Sequence, residues 1–249
     1  MNNKSHEFAL FSKEFSQAVA NKKNQVIISD TAIIHRIQHV LRLNKEEVVV
    51  LFDDEAHSVC TLIDYPKGRV TLALGTLIKN TPVLPKLTVI LPLLKREALD
   101  EVVYACREFG VSAIQFVSTD KSSRQALSFS ERERLERVSV AAAEQSKNFA
   151  PCALQDTLPS LIEFLENSEF TNTLKVYADP EGFSWQQIVS KTSTDTKEFV
   201  ICVGPEGDMS DREKALLHEH GFVFCKLGST ILRAQQAATL LIGIVRTCR

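Results

Sequence analysis

The sequence lacks a complete set of metal ligands, long apolar runs and an excess of charge of either sign. Its six cysteines form no Cys-x-x-Cys pair, which argues against a zinc site. The longest apolar run near the C-terminus, residues 237–245, is far shorter than the ~20 residues of a membrane span. Charged residues are scattered through residues 1–25, unlike the apolar core of a signal peptide. We therefore expect a cytoplasmic protein with reduced, mostly buried thiols and neither a metal nor a membrane partner.

The net charge gives no general sign of nucleic-acid binding. The formal charge is −2 over 249 residues, so any basic surface for RNA must be local. A hydrophobic content of 44% is enough for a core in one large domain or two modest ones. No internal repeat or low-complexity tract interrupts the chain.

Residues 1–81 have the pattern of a small β-rich domain with one helix. The helix is predicted from apolar residues at helical spacing over 33–41, after possible N-caps at 29–31. Three short β-rich runs follow at 48–52, 59–63 and 70–74, separated by turn residues. Short strands joined by tight turns indicate a small barrel, and Pro82 and Pro85 mark a linker after it.

Residues 82–249 alternate between strands and helices, which favours an α/β domain with a mostly parallel sheet covered on both faces. A long helix is predicted after Ser130, because Ser130 and Glu133 have the spacing of a capping box. The predicted strands are 87–91, 113–117, 174–177, 199–203 and 222–226, and helices are predicted at 98–109 and 234–245.

The most informative segment joins the apolar strand 199–203 to the turn Gly204-Pro205-Glu206-Gly207. Ser210 and Glu213 again have capping-box spacing, so a helix is predicted next, with Gly221 at its end. Glycines at the carboxyl end of a strand let the backbone approach a ligand, and open α/β sheets bind ligands at that edge. Taken alone, the tetrapeptide fits a plain tight turn slightly better than a ligand-binding loop.

A second glycine loop follows the next predicted strand. Leu227-Gly228 comes directly after that strand, and Ile231-Leu232-Arg233 leads into the alanine-rich helix. Two successive strands therefore end in glycine loops at one edge of the sheet, with an arginine beside them. This pairing favours a ligand pocket over two unrelated turns.

Together these segments resemble the small-subunit ribosomal RNA uridine-N3 methyltransferases of the SPOUT superfamily. The resemblance lies in Gly-Pro-Glu-Gly, followed about twenty residues later by Leu-Gly-x-x-Ile-Leu-Arg. Three further segments agree in family order: residues 35–43 with Val-Leu-Arg, residues 108–111 with Glu-Phe-Gly-Val, and residues 143–146 with Ala-Glu-Gln-Ser. The similarity spans residues 30 to 245.

The resemblance implies a PUA-like β-barrel over 1–81 and a SPOUT-type trefoil-knotted α/β domain over 82–249, working as a homodimer. Backbone knots are so rare that general topology rules would argue against one. The helix 234–245, apolar around nearly its whole circumference, is expected at the dimer interface. The resemblance also implies that backbone groups of the knot loops bind S-adenosylmethionine, without a metal. The matching positions are Ala178, Gly204, Pro205, Glu206, Gly207, Leu227, Gly228, Ile231 and Leu232.

The activity implied by the resemblance is methylation of N3 of a specific uridine in small-subunit (16S) ribosomal RNA. Such a transfer is an in-line displacement, so the protein must align the reactants and help N3–H lose its proton. Arg233 is the catalytic candidate, since its guanidinium can polarise the uracil or steer a phosphate. Glu206 either orients the cofactor or bonds nearby N–H groups, and no general base is evident.

RNA contacts are expected from Arg36, His39 and Arg42 in the first domain and from Lys121 in the second. His35, His39 and Arg42 share one helix face, which either contacts phosphates or is simply solvated. A His-x-x-x-His zinc site would need a third ligand, and none is evident nearby.

Four positions depart from the resembled family. Asp208 stands where the family has glycine, Thr230 where it has arginine, Gln235 where it has glutamate, and Lys121 where it has the arginine of Arg-Ser. These changes leave two alternatives open: a knotted methyltransferase acting on another RNA, such as a transfer-RNA ribose, and a non-catalytic RNA-binding ribosome assembly factor.

Overall fold

The computed structural model describes residues 8–122, 124–190 and 198–247. The chain divides into two compact units. The first comprises Met1–Thr81 and Ala143–Pro151, and the second comprises Pro82–Ala142 and Cys152–Arg249. The segment 143–151, expected in the second domain, therefore lies in the first unit. It does so because Ala143 and Phe149 pack in one apolar cluster with Phe52.

The first unit is built on a six-stranded sheet with the strand order β1-β3-β4-β5-β2 and β6 added beside β4. β1 and β3 are parallel, and the other pairs are antiparallel. The elements are β1 (Ala9–Phe11), α1 (Lys13–Ala20), β2 (Gln25–Ile28), α2 (Thr31–His35) with a π-helical turn (Arg36–Val40), β3 (Val48–Phe52), β4 (Ala56–Asp64), β5 (Val70–Leu74) and β6 (Ile78–Lys79).

The sequence pattern predicts the central strands β3, β4 and β5 of this sheet but not the remaining strands. β3 and β5 have the predicted bounds, whereas β4 is longer than predicted. β1, β2, β6 and α1 were missed, because the three strands have only two to four residues each, too few for a visible period. Asp30 is the N-cap of α2, and its carboxylate accepts the N–H groups of Ala32 and Ile33.

The second unit contains a six-stranded sheet with the order β12-β10-β11-β7-β8-β9, in which every pair is parallel. The predicted α/β class is therefore confirmed. The elements are β7 (Lys86–Pro92), α3 (Arg96–Glu108), β8 (Ala113–Val117), α4 (Phe129–Ser146), β9 (Ala153–Leu154), α5 (Leu161–Glu166), β10 (Thr173–Ser184), α6 (Trp185–Val189), β11 (Glu198–Cys202), α7 (Asp211–Glu219), β12 (Val223–Lys226) and α8 (Ala234–Thr247).

Both faces of this sheet are buried. Val89 and Ile201 belong to one apolar cluster, whereas Ile90, Val200 and Cys202 belong to another. Successive side chains of β7 and β11 thus point to opposite faces, as the two-residue period of a strand requires. Because both faces are covered, these strands have the nearly continuous apolar sequences that parallel sheets need.

Local capping chemistry sets the helix ends in this unit. The predicted capping box of Ser210 and Glu213 is present, and Gly221, at φ +76°, follows the end of α7 as predicted. The box predicted at Ser130 and Glu133 is wrong. The helix begins at Phe129, and it is Ser128 that exchanges hydrogen bonds with Glu131.

Among the described residues, the cysteines form no disulfide with one another. Five of the six are buried thiols: Cys60, Cys106, Cys152, Cys202 and Cys225. Cys248 lies outside the described residues. Over the described ranges, no three His, Cys, Asp or Glu side chains gather as a metal site would require. In the same ranges no helix has both the length and the apolar character needed to span a bilayer.

Candidate functional site

One cavity of about 260 Å³ lies where β10, β11 and β12 meet the start of α8. Within β10, the pairing with β12 shifts register between Ala178 and Phe183, so the strand departs from the ladder at this point. β11 ends at Cys202, directly before one glycine loop, and β12 ends at Lys226, directly before the other. The fold therefore brings both glycine loops to one edge of the sheet.

The cavity gathers most of the residues expected to bind the cofactor. Its lining includes eight of the nine: Ala178, Gly204, Pro205, Glu206, Leu227, Gly228, Ile231 and Leu232. The ninth, Gly207, faces elsewhere, and a Cβ added there would lie 3.3 Å from Cβ of Lys121. Arg233 does not line the cavity. Its side chain is exposed just before α8, and its carbonyl accepts the N–H of Ala237 at 2.9 Å.

The walls of the cavity are apolar and leave open space at one glycine. Val203 and Cys225 are buried at its base, and burial raises the pKa of the Cys225 thiol to about 11. Ile231 is 85% exposed at the rim. A Cβ added to Gly228 would meet no heavy atom within 4 Å, so the missing side chain leaves room for a ligand rather than for another part of the protein.

A cluster of charged groups, which we call the Lys214 cluster, lies beside the cavity and comprises Lys214, Asp179, Asp208 and Tyr177. The Lys214 ammonium nitrogen is 2.7 Å from Oδ2 of Asp208 and 2.9 Å from Oδ2 of Asp179. The Tyr177 hydroxyl donates to Oδ1 of Asp208 at 2.8 Å. Asp179 and Asp208 line the cavity, whereas Lys214 and Tyr177 lie behind them.

The hydrogen bonds of this cluster favour the charged forms of Asp208 and Lys214. Partial burial by itself would raise the pKa of Asp208, but the hydrogen bonds from Lys214, Tyr177 and the Met209 N–H outweigh it, so this pKa lies below its usual value. Burial would likewise lower the pKa of Lys214, yet its bonds to Asp208 and Asp179 raise it. Burial is the main reason why the pKa of Tyr177 is strongly raised, so the phenol stays a neutral donor.

Glu206 links the Gly-Pro-Glu-Gly turn to another part of the second unit. Its Oε1 accepts the backbone N–H of Lys95, directly before α3, at 3.1 Å. The carboxylate therefore bonds a backbone group far away in sequence rather than one within its own turn. Glu206 remains exposed at the cavity, where it is the third acidic group after Asp179 and Asp208.

Gly182 is a closely packed position next to the cavity-lining Asp179 and Pro180, and it is not among the predicted site residues. A Cβ at this residue would lie 2.4 Å from the carbonyl carbon of Phe224 and 2.6 Å from the Cys225 nitrogen. Only glycine lets β10 pass so close to β12 beside the cavity. The signal was present in the sequence: Asp-Pro-Glu-Gly at 179–182 follows a predicted strand, just as Gly-Pro-Glu-Gly does at 204–207.

The residues expected to contact RNA have different surroundings. The Arg36 guanidinium forms two parallel hydrogen bonds to Glu144, at 2.9 and 2.8 Å, and Oε1 of Glu144 also accepts the Phe11 N–H. The glutamate of the Ala-Glu-Gln-Ser segment thus holds the end of α4 within the first unit. His39 and Arg42 are exposed, and the His39 ring lies 5.0 Å from that of His35.

Lys121, the expected RNA contact of the second unit, lies beside the Gly-Pro-Glu-Gly turn. Its ammonium group donates to the Met209 carbonyl at 3.2 Å, and the residue is exposed. Of the other departures from the resembled family, Asp208 and Thr230 line the cavity. Gln235 lies instead in a separate groove along α8, together with Phe109 and Leu240.

Comparisons with known proteins find similarity to RNA methyltransferases. The model of the RNA methyltransferase domain family matches residues 80–246. The chain is 29% identical over 216 residues to ribosomal RNA small subunit methyltransferase E of Synechocystis sp., covering 86% of this chain and 70% of that protein. It is 25% identical over 231 residues to ribosomal RNA small subunit methyltransferase E 2 of Borreliella burgdorferi, covering 86% and 88%.

A solved structure shares the fold. It is the crystal structure of a ribosomal RNA small subunit methyltransferase E from Neisseria gonorrhoeae bound to S-adenosyl methionine. The TM-score is 0.80 at 22% identity, and the alignment covers 97% of this chain and 98% of that one.

Proposed function

The chain belongs to the RNA methyltransferase domain family, and on that basis we propose that it transfers a methyl group from S-adenosylmethionine to small-subunit ribosomal RNA. The observation that carries the proposal is the cavity that both glycine loops enclose at the carboxyl edge of the parallel sheet. The relatives, which are ribosomal RNA small subunit methyltransferases, indicate the substrate class. The specific target we propose is N3 of a uridine.

The cavity has the chemistry that S-adenosylmethionine requires. Its apolar walls, among them Val203, Leu227 and Ala237, suit a flat purine ring. The open space at Gly228 accommodates a ligand atom where a side chain would otherwise stand. Asp179 and Glu206 offer negative charge to a positively charged ligand. When bound, the cofactor supplies a methyl group on a sulfonium centre.

The roles of individual residues follow from their positions. Loop residues Ile231 and Leu232 line the cavity on one side, and Glu206 fixes the Gly-Pro-Glu-Gly turn through its bond to Lys95. Arg233 is exposed beside the cavity and, over the described residues, forms no ion pair, so its guanidinium is available to a base or phosphate. We propose that Arg233 acts on the RNA rather than on the cofactor.

The substrate side of the proposal extends to both units. We propose that the first unit is a PUA-like barrel that contacts RNA through His39 and Arg42, with Lys121 contributing from the second unit. Arg36 is less available to RNA, since its guanidinium already forms two hydrogen bonds to Glu144. We further propose that the second unit is a trefoil knot of the SPOUT type.

We propose that the protein works as a homodimer through α8. The buried face of this helix carries Ala238, Leu241, Ile242 and Val245. Its other side lines a groove with the exposed Leu240 and the half-buried Phe109. An apolar side chain that is 41% exposed on a helix already packed on one face suits contact with a second copy.

The decisive experiment is nucleoside analysis of ribosomal RNA by mass spectrometry. RNA from cells with and without the gene is digested and compared, and purified protein with labelled S-adenosylmethionine is then added to small subunits lacking the modification. We expect the loss of one N3-methyluridine and its restoration in vitro. A modification restored in transfer RNA instead would favour the alternative substrate. Cofactor binding without methylation of either RNA would favour an assembly factor.

A further inference from the structure

One charged side chain of the second unit does not line the cavity but forms ion pairs with two residues that do. Lys214 lies in α7, and its ammonium group bonds one carboxylate from β10, Asp179, and one from the turn after β11, Asp208. None of the sixteen lining residues is a cation. Lys214 therefore provides the positive charge that the two carboxylates share.

The two carboxylates need this charge because they lie close together. Each has an oxygen within 2.9 Å of the same nitrogen, so these oxygens lie within about 6 Å of each other, the range over which like charges disfavour joint ionisation. Asp179 is 7% exposed, which leaves it little water for screening. Glu206 adds a third negative charge to the same cavity. Without the ammonium group, the two carboxylates would repel each other, and this repulsion would push apart the loops that carry them.

Asp208 also has a backbone conformation that needs support. Its φ is +61°, in the left-handed region that favours glycine, and the resembled family has glycine at this position. Here the side chain fixes the turn, because Oδ1 accepts the Tyr177 hydroxyl and the Met209 N–H, each at 2.8 Å, while Oδ2 accepts from Lys214. A hydrogen-bonded aspartate thus replaces glycine at this turn.

Asp179 connects the cluster to the neighbouring segment. Its Oδ1 accepts the Glu181 N–H at 2.8 Å, which fixes the turn that leads to Gly182. Its Oδ2 accepts from Lys214. One ammonium group therefore sets the positions of two segments that enclose the same cavity.

We propose that Lys214 is a positioning residue for cofactor binding, which holds Asp179 and Asp208, and with them two walls of the cavity, in the binding-competent arrangement. This inference rests on the proposed function, because it takes S-adenosylmethionine as the ligand. It adds a residue that does not touch the ligand and that the resemblance does not include.

The test compares Lys214→Met with Arg212→Met in the full-length protein. Arg212 is an exposed cation on the same helix and does not line the cavity, so it serves as the matched control. Calorimetry with S-adenosylmethionine should give about ten- to a hundredfold weaker binding for Lys214→Met, the size expected when charge-assisted hydrogen bonds are lost. Arg212→Met should stay within about twofold of wild type.

Two further variants separate positioning from general stability. Lys214→Arg should recover most of the affinity, since a guanidinium can bond both carboxylates. In an Asp208→Asn background, Lys214→Met should cause a smaller loss of affinity for S-adenosylmethionine, because the two residues act as a unit. Equal affinity of Lys214→Met and wild type would overturn the proposal, as would a loss that matches a general fall in melting temperature and is not rescued by arginine.

A measurement without cofactor keeps the inference separate from the proposed function. Hydrogen exchange on the unliganded protein should show that Lys214→Met exposes the amides of 178–182 and 204–209, whereas Arg212→Met leaves them protected. If wild type fails to bind S-adenosylmethionine, the proposed function fails, and the exchange result still decides whether Lys214 holds the two segments. Unchanged protection of these amides in Lys214→Met would overturn the positioning role of Lys214. If Lys214→Met does not fold, Lys214→Gln takes its place in both measurements.

Discussion

Two glycines beside the cavity are expected to respond in opposite ways to an added side chain. At Gly182 a Cβ would lie 2.4, 2.5 and 2.6 Å from three backbone atoms of Phe224 and Cys225. Ordinary contacts between heavy atoms lie near 3.5–4.0 Å, so Gly182→Ala requires β10 and β12 to move apart by about 1 Å. Backbone atoms of a paired strand cannot rotate away as a side chain can. The free energy of unfolding should therefore fall by about 3 kcal/mol, the upper end for overpacking.

The matched variant is Gly228→Ala. A Cβ at this position meets nothing within 4 Å, and its φ lies outside the left-handed region, so the free energy of unfolding should change by less than about 0.5 kcal/mol. Gly228→Val should also fold, but its side chain would occupy the cavity and abolish binding of S-adenosylmethionine. Gly182 is thus needed for the close approach of two strands, whereas Gly228 leaves space for the ligand.

Urea unfolding and calorimetry with S-adenosylmethionine measure the two effects separately. A drop of about 3 kcal/mol corresponds to roughly 6–12 °C in melting temperature for a chain of this size. Gly182→Ala with wild-type stability would refute the argument from close approach. A folded Gly228→Val protein with undiminished affinity would show that the ligand binds elsewhere.

Further expected outcomes concern chemistry, stability and assembly. Arg233→Ala should reduce single-turnover methylation of small subunits by orders of magnitude while calorimetric cofactor affinity changes little; an equal loss of both would make Arg233 a cofactor ligand. Glu144→Gln should lower the free energy of unfolding by about 1–3 kcal/mol in urea titrations, because it weakens the paired hydrogen bonds to Arg36, a half-exposed partner. Since the folded pKa of Asp208 lies below its usual value, its stabilising effect should be present at neutral pH and lost as the pH falls through that folded pKa; a stability difference between wild type and Asp208→Asn that does not change between neutral and strongly acidic pH would contradict this. Light scattering at micromolar concentration should give a dimer for wild type and a smaller species for Leu240→Lys, and a wild-type monomer would remove α8 as an interface.

Much of the second unit could be predicted from the sequence because its signals are local. Strands such as β8 (Ala113–Val117) have the predicted bounds, since a buried parallel strand is a short apolar run between turn residues. The capping box of Ser210 and Glu213 needs only two residues three positions apart. Parallel strands that end in glycine loops also imply that those loops share one edge, as Gly204 and Gly228 do.

The tertiary structure alone decided the features that depend on partners far away in sequence. Nothing near Glu144 indicates that its carboxylate bonds Arg36 and the Phe11 N–H, which is why the end of α4 belongs to the first unit. Lys214 has the sequence context of an ordinary solvated helix residue until the fold brings Asp179 and Asp208 within 2.9 Å of it. Periodicity and turn chemistry describe a residue's neighbours along the chain, whereas an ion pair between distant residues depends on which segments the sheet brings together in space.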